Sequence, residues 1–127
     1  MASAGSSPVG DIHPLTIKHL QLKGISVSNL KSKSWNDIES FKPEIVITVC
    51  DNAANEQCPL WSEQAIKVHW GLPDPTNVDN SSHETQLLFN QVMKTLENRI
   101  KTLLTYDLPS LSSDEISVLF NKTGEIS

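Results

Sequence analysis

The sequence predicts an α/β fold in which helices cover both faces of a parallel sheet, in three layers. Segments typical of helices and of strands alternate along the chain. Residues 44–50 form a β-branched, nearly continuous apolar run, the pattern of a strand buried on both faces. Residues 65–70 alternate more weakly between apolar and polar side chains and predict a second strand. The length of 127 residues favours a single domain.

Two helices are predicted before the first strand from their start and stop signals. Pro14 suits a first helical position and Gly24 suits a left-handed cap, so a helix is expected over residues 14–23. Ser34 can cap a short helix over residues 35–41, which a following proline would end.

Two more helices are predicted after the second strand. Ser81 and Glu84 form a capping-box pattern, and a helix is expected to continue from there to Leu104. Its apolar face is expected to comprise Leu88, Val92, Leu96, Ile100 and Leu103. Glu97 and Lys101 have the spacing of a favourable ion pair on that helix. Ser112 begins a short tail helix.

Composition excludes several classes of function. The net charge of −5 gives no basic field for nucleic acid or anionic lipid. No apolar stretch approaches the roughly 20 residues of a membrane helix, and small polar residues follow Met1 where a secretory signal would be charged and apolar. We therefore predict a cytoplasmic protein without nucleic-acid or membrane partners. Its two cysteines are expected to be reduced and redox-active or catalytic.

The chemically distinctive residues follow the two predicted strands. Cys50 ends the first strand, and Asp74 lies in the loop after the second. In parallel sheets, ligands bind at the carboxyl ends of the strands. Both residues are therefore expected at the same edge of the sheet.

Four separated segments resemble, in order, the thiol-coupled arsenate reductases of the low-molecular-weight tyrosine phosphatase superfamily. They are SAG at residues 3–5, VITVCDN at 46–52, CP at 58–59 and HWGLPDP at 69–75. The resemblance covers about residues 2–104. It implies a four-stranded parallel sheet of strand order 2-1-3-4 with the first strand and helix missing. It also divides the chain into a phosphatase-like domain over residues 1–106 and a tail with a short helix over residues 107–127.

The nucleophile of that family lies on a loop of pattern Cys, five residues, Arg. Neither Cys50 nor Cys58 has an arginine six positions later, and Arg99 is the only arginine in the sequence. Two explanations remain open: the sequence begins inside a longer gene, or it is a catalytically silent remnant. A missing central strand would also leave an open sheet edge, through which copies of the chain could form a homo-oligomer.

The resemblance assigns roles to three residues. Asp74 would protonate the leaving oxygen as the general acid, Cys50 would displace arsenite, and Cys58 would resolve the resulting bond. Simpler interpretations stand beside these: a Pro-Asp-Pro turn, a buried small apolar residue at Cys50, and a loop thiol without a role at Cys58. His69 could orient the Asp74 loop or be a hydrogen-bonded structural histidine.

The predicted function is the reduction of arsenate to arsenite by a cysteine relay in the full-length relative, with the 127-residue chain itself inactive. The expected oxyanion is arsenate or a phosphate-like ion, and the expected reductant is thioredoxin or glutathione with glutaredoxin. No bound cofactor or metal is expected, because the cysteine spacing does not match a zinc site. The alternative is a non-enzymatic dithiol protein that binds arsenite or a redox partner.

Overall fold

The computed structural model describes residues 2–5, 8, 10–50, 63–77 and 83–127. The described residues form helices and one pair of parallel strands, as expected for the α/β class. The elements, in chain order, are α1 (Pro14–Leu22), the 3-10 helix η1 (Trp35–Phe41), β1 (Ile45–Thr48), β2 (Ile66–His69), the 3-10 turn η2 (Pro75–Asn77), α2 (His83–Leu104), the 3-10 turn η3 (Leu108–Ser110) and α3 (Ser113–Thr123). No helix of the described ranges is long and apolar enough to cross a membrane.

Local signals define the ends of α1. Pro14 occupies the first turn, and Nδ1 of His13 accepts a hydrogen bond from the Leu15 N–H at 3.1 Å. This bond satisfies one of the amide groups that a helix leaves unpaired at its start. Gly24 follows the helix with φ +73°, a conformation that glycine adopts at little cost. The predicted helix over residues 14–23 is confirmed to within one residue.

Capping boxes, in which two residues exchange hydrogen bonds, begin the helices η1 and α3. Ser34 bonds with Asp37 and begins η1, which is a 3-10 helix and ends at the left-handed Lys42 (φ 49°). Ser112 and Glu115 exchange two bonds of 3.1 and 3.2 Å at the start of α3. Both predicted helices are confirmed. The proposed cap of α2 at Ser81 lies outside the described residues.

The strands β1 and β2 form a parallel pair. Ile45 is aligned with Ile66, and Thr48 with His69. All four residues of β1 are half-buried. Among the described residues, β1 has β2 as its one strand neighbour, and Gly5 instead forms a separate parallel bridge with Ser34. The four-stranded order and association through the other edge of β1 stay predictions.

The predicted apolar face of α2 is half-buried or buried at four of its five positions and is wrong at Ile100. Thr85, Phe89, Arg99 and Leu103 are buried, whereas Ile100 is 40% exposed. These buried positions follow the three- and four-residue spacing of one helix face. The prediction placed the apolar Ile100 on the buried face, but the tertiary structure buries the adjacent Arg99 instead. The predicted ion pair is confirmed: Lys101 Nζ lies 2.9 Å from Glu97 Oε1 and lowers the pKa of that carboxyl.

The core lies between the sheet and the last two helices. Its buried apolar residues are Val68, Trp70, Leu103 and Phe120, and half-buried side chains from β1, α2 and α3 surround them. The tail that the sequence separates at residue 107 thus supplies Phe120 to the same core as the strands.

Trp70 is the best-anchored residue of this core. Its side chain is 5% exposed, and the indole Nε1–H donates to the Phe120 carbonyl at 3.1 Å. The Arg99 guanidinium carbon lies 5.4 Å from the centre of the Trp70 ring, within cation–π distance. Arg99 Nη1 also donates to the Trp70 carbonyl at 2.9 Å. The backbone of Trp70 is therefore held as well as its ring.

Arg99 connects Trp70 to the last residues of the chain. It is 6% exposed, and its Nε donates to the Ile126 carbonyl at 2.8 Å. Burial lowers the pKa of the guanidinium. A buried cation is costly unless hydrogen bonds compensate it, and here two carbonyls and an aromatic face do so.

Replacing Arg99 should therefore destabilise the protein. Arg99→Met fills much of the volume but leaves two carbonyl groups without their donor, and each such group costs about 1–3 kcal/mol. We expect a loss of roughly 3 kcal/mol in the free energy of unfolding by urea denaturation. Lys101→Met, two residues away on the exposed side of α2, is the matched control and should leave the unfolding midpoint almost unchanged. Equal midpoints for the two variants would contradict this account.

His19 joins α1 to α2. Its side chain is 5% exposed and stacks on Phe89 with the ring centres 4.4 Å apart and the planes 7° from parallel. Its Nε2 is buried without a hydrogen-bond partner. Burial, and to a lesser extent Lys18, lowers the pKa of the imidazole below its ordinary value of 6.5. The folded protein therefore disfavours the protonated form of this ring relative to the unfolded chain.

The lowered pKa of His19 makes stability depend on pH. Below about pH 6.5 the unfolded chain takes up a proton that the folded chain resists, so the free energy of unfolding falls as the pH drops through this window and is constant above it. His19→Phe keeps the stacked ring and removes the titration. The difference in stability between wild type and this variant should shift in favour of the variant between pH 7 and pH 5. A pH-independent difference would be inconsistent with a neutral buried ring, and the exposed His83→Gln serves as the control.

Candidate functional site

Backbone hydrogen bonds continue to join the two chain segments beyond the carboxyl ends of β1 and β2. The Trp70 N–H donates to the Thr48 carbonyl and the Leu72 N–H donates to the Val49 carbonyl, both at 2.8 Å. The second bond joins the residue before Cys50 to a residue two positions before Asp74. The two predicted site segments therefore meet at one edge of the sheet, as the strand order of the sequence implies.

The chain turns at Gly71 between the anchored Trp70 and the Asp74 loop. Gly71 has φ +43°, in the left-handed region that favours glycine. A side-chain carbon at this position would lie 3.4 Å from His69 Nε2. The imidazole of His69 thus lies against the turn. Its Nδ1 shares a hydrogen bond of 2.7 Å with Thr48 Oγ1.

Asp74 lies exposed on this loop and organises the residues after it. Its Oδ1 accepts hydrogen bonds from the Thr76 N–H at 2.9 Å and the Thr76 hydroxyl at 2.6 Å. These bonds begin the 3-10 turn η2, in the way that aspartate commonly stabilises turns. The turn interpretation of the Pro-Asp-Pro segment thus describes the local geometry. The general-acid role of Asp74 stays a prediction.

Of the two cysteines, Cys50 lies within the described residues and Cys58 does not. Cys50 lies two residues beyond β1 and is exposed, which differs from the interpretation of it as a buried apolar residue. Cys58 and Trp61 lie outside the described residues, so the relay assignment of Cys58 stays a prediction. Within the ranges that the structure describes, no three His, Cys, Asp or Glu side chains are placed to share a metal ion.

Two residues that support the site were not predicted from sequence. The sequence distinguishes Arg99 only as the single arginine, and Thr48 only as one residue of a predicted strand. The parallel alignment of Thr48 with His69 would have predicted their contact, but alignment between strands is not encoded in either strand alone. Arg99 follows Thr85 by 14 residues, a spacing that puts both on one face of the helix and could have predicted that Arg99 is buried.

Comparison with known proteins identifies the family of this chain. The chain matches the family described as low molecular weight phosphotyrosine protein phosphatase over residues 1–115. It is 31% identical over 100 residues to an arsenate reductase from Halalkalibacterium halodurans, covering 79% of this chain and 70% of that protein. It is 29% identical over 99 residues to an arsenate reductase from Bacillus subtilis, covering 78% and 70%.

A third relative, arsenate reductase 1 from Staphylococcus epidermidis, is 33% identical over 82 residues, covering 65% of this chain and 61% of that protein. The family match includes both strands, the Asp74 loop, all of α2 and the first residues of α3. The family expected from the sequence segments is therefore confirmed, and the chain belongs to the low molecular weight phosphotyrosine protein phosphatase family, with arsenate reductases among its relatives.

Proposed function

We propose that this chain is an arsenate reductase-like domain that performs thiol–disulfide chemistry at the carboxyl edge of its sheet. The observation that carries the proposal is the bond from the Leu72 N–H to the Val49 carbonyl, which brings the Cys50 end of β1 beside the Asp74 loop. The arsenate reductases among its relatives supply the reaction class.

The proposed redox step uses Cys50 and Cys58. Their two thiols lose two electrons and two protons as the disulfide forms, and a reduced dithiol partner restores them by exchange. In the full-length relative the electrons reduce arsenate to arsenite. The reductant is a protein dithiol of the thioredoxin type, or glutathione with glutaredoxin. Such a cycle suits the cytoplasm, where thiols are kept reduced.

Asp74 is proposed as the proton donor of the same site. The two hydrogen bonds from Thr76 fix the orientation of its carboxyl group, and its exposure allows a ligand to approach. An anion bound at the strand ends would lie close to this carboxyl. Proton donation requires a protonated carboxyl, which a nearby anion favours.

We further propose that the 127-residue chain does not complete the arsenate reaction by itself. Its sequence holds no cysteine followed six positions later by arginine, and its single arginine is buried against Trp70 with two donors bonded to backbone carbonyls. Arg99 is thus engaged in the core. The second candidate function, a dithiol protein that binds arsenite or a redox partner, needs only the two cysteines.

The first test is turnover of arsenate and of an aryl phosphate by the purified chain supplied with thioredoxin, thioredoxin reductase and NADPH. We expect no rate above the protein-free blank, because preorganised oxyanion donors account for orders of magnitude in rate. A full-length arsenate reductase is the positive control. Turnover that Cys50→Ser abolishes would overturn the proposal of inactivity, since Cys50 would then act as the nucleophile.

The second test is oxidation of the chain under mild conditions, followed by intact mass spectrometry and peptide mapping. We expect an intramolecular Cys50–Cys58 disulfide, seen as the loss of two hydrogens and reversed by reduced thioredoxin. Cys58→Ser is the matched control and should give no such loss. Exclusively intermolecular dimers or sulfenic acids in the wild type would contradict the relay. Arsenite binding by the reduced chain without exchange with thioredoxin would favour the non-enzymatic alternative.

A further inference from the structure

We infer that Thr48 and His69 form a positioning pair that sets the geometry between the Cys50 end of β1 and the Asp74 loop. The inference extends the proposed function, since it concerns the residues that align the two halves of that site. In this proposal the two residues act through the backbone and do not touch a ligand.

The first observation is the bond between the two side chains. Thr48 and His69 are aligned partners in the parallel pair, and Thr48 Oγ1 lies 2.7 Å from His69 Nδ1. Both side chains are on the same face of the sheet, and they are the last residues of their strands. A hydroxyl can donate to a neutral imidazole nitrogen or accept from its N–H, so the bond can form with either tautomer.

The second observation is the position of the far side of the ring. His69 Nε2 and Cδ2 lie 3.4 and 3.7 Å from the place that a Gly71 side-chain carbon would occupy. The ring therefore packs against the turn at Gly71, whose φ of +43° directs the chain toward Asp74. A rotation of the ring would remove this contact and widen the space available to the turn.

The third observation is that the backbone on both sides of the turn is fixed. The Trp70 N–H bonds the Thr48 carbonyl, and the Leu72 N–H bonds the Val49 carbonyl. Gly71 lies between these bonds, so the ring contacts the one residue of this stretch that can adopt several conformations. Thr48 holds the ring, the ring restrains the turn, and the turn determines where the Asp74 loop begins.

Hydrogen exchange of the Leu72 amide tests the inference, because that amide lies just beyond the turn. We expect Thr48→Val, which keeps the shape and removes the hydroxyl, to accelerate exchange of this amide about tenfold. Thr48→Ser should restore the wild-type rate to within about threefold, since it returns the hydroxyl. The Ile66 amide, bonded to the Glu44 carbonyl at the other end of the sheet, should be unchanged.

His69→Phe provides the second arm, because it keeps a ring and removes the nitrogen that bonds Thr48. It should accelerate Leu72 exchange at least as much as Thr48→Val does, and the double variant should exchange no faster than His69→Phe, as expected for two residues that act through one bond. Thr105→Val is the matched control, since it removes an exposed hydroxyl that bonds the Thr102 carbonyl in α2.

Any of these results would overturn the pairing: an unchanged Leu72 rate in Thr48→Val, failure of Thr48→Ser to restore it, or equal acceleration at Leu72 and Ile66. Additive effects in the double variant would also do so. The exchange rates report the position of the loop and not thiol chemistry. A chain that lacks the Cys50–Cys58 disulfide but passes this test would refute the redox proposal and leave the positioning pair intact.

Discussion

The hydrogen bonds of the buried Arg99 guanidinium to the Trp70 and Ile126 carbonyls are the interaction on which the rest of the structure depends. A charged group loses its hydration when it is buried, and the loss is recovered only if nearby groups replace the water. Two carbonyls and the indole face do so here. Because those carbonyls belong to the residue after β2 and to the C-terminal end, the charge of one residue on α2 joins three distant segments.

The C-terminal residues consequently take part in positioning the site. A side-chain carbon at Gly124 would lie 2.9 Å from Trp70 Cδ1, so the end of α3 approaches the indole more closely than another residue type would allow. The Asn98 side chain also donates to the Ser127 carbonyl at 3.2 Å. The tail that the sequence separates from the phosphatase-like domain thus packs against the residue that precedes the Gly71 turn.

Features set by short stretches of sequence could be predicted, and features set by contacts between distant stretches could not. Pro14, Ser34 and Ser112 start helices through bonds to residues at most three positions away, and these starts were confirmed. The burial of Arg99 depends on Trp70, which is 29 residues away. Apolarity alone predicted burial for Ile100, whereas the tertiary structure buries the neighbouring Arg99 and leaves Ile100 40% exposed.

In the candidate site, too, some features could be predicted from the sequence and others depend on contacts between distant residues. The order of the strands was enough to place Cys50 and Asp74 at one edge. The bond between Thr48 and His69, however, depends on the alignment of two strands 21 residues apart, and a shift of one residue would separate them. Candidate reactive side chains could therefore be named from sequence, whereas the contact between Thr48 and His69 required the tertiary structure.

The two interpretations of Asp74, a turn-forming residue and a proton donor, are physically compatible. The carboxyl group has two oxygens, and the bonds from Thr76 in the described structure both go to Oδ1. A proton on Oδ2 would leave Oδ1 able to accept those bonds. The turn would then hold the acid at a fixed angle in both protonation states, so proton transfer would require no rearrangement of the loop. Preorganisation of this kind makes a catalytic group effective, so a turn motif and the proposed proton donor could share the same three residues.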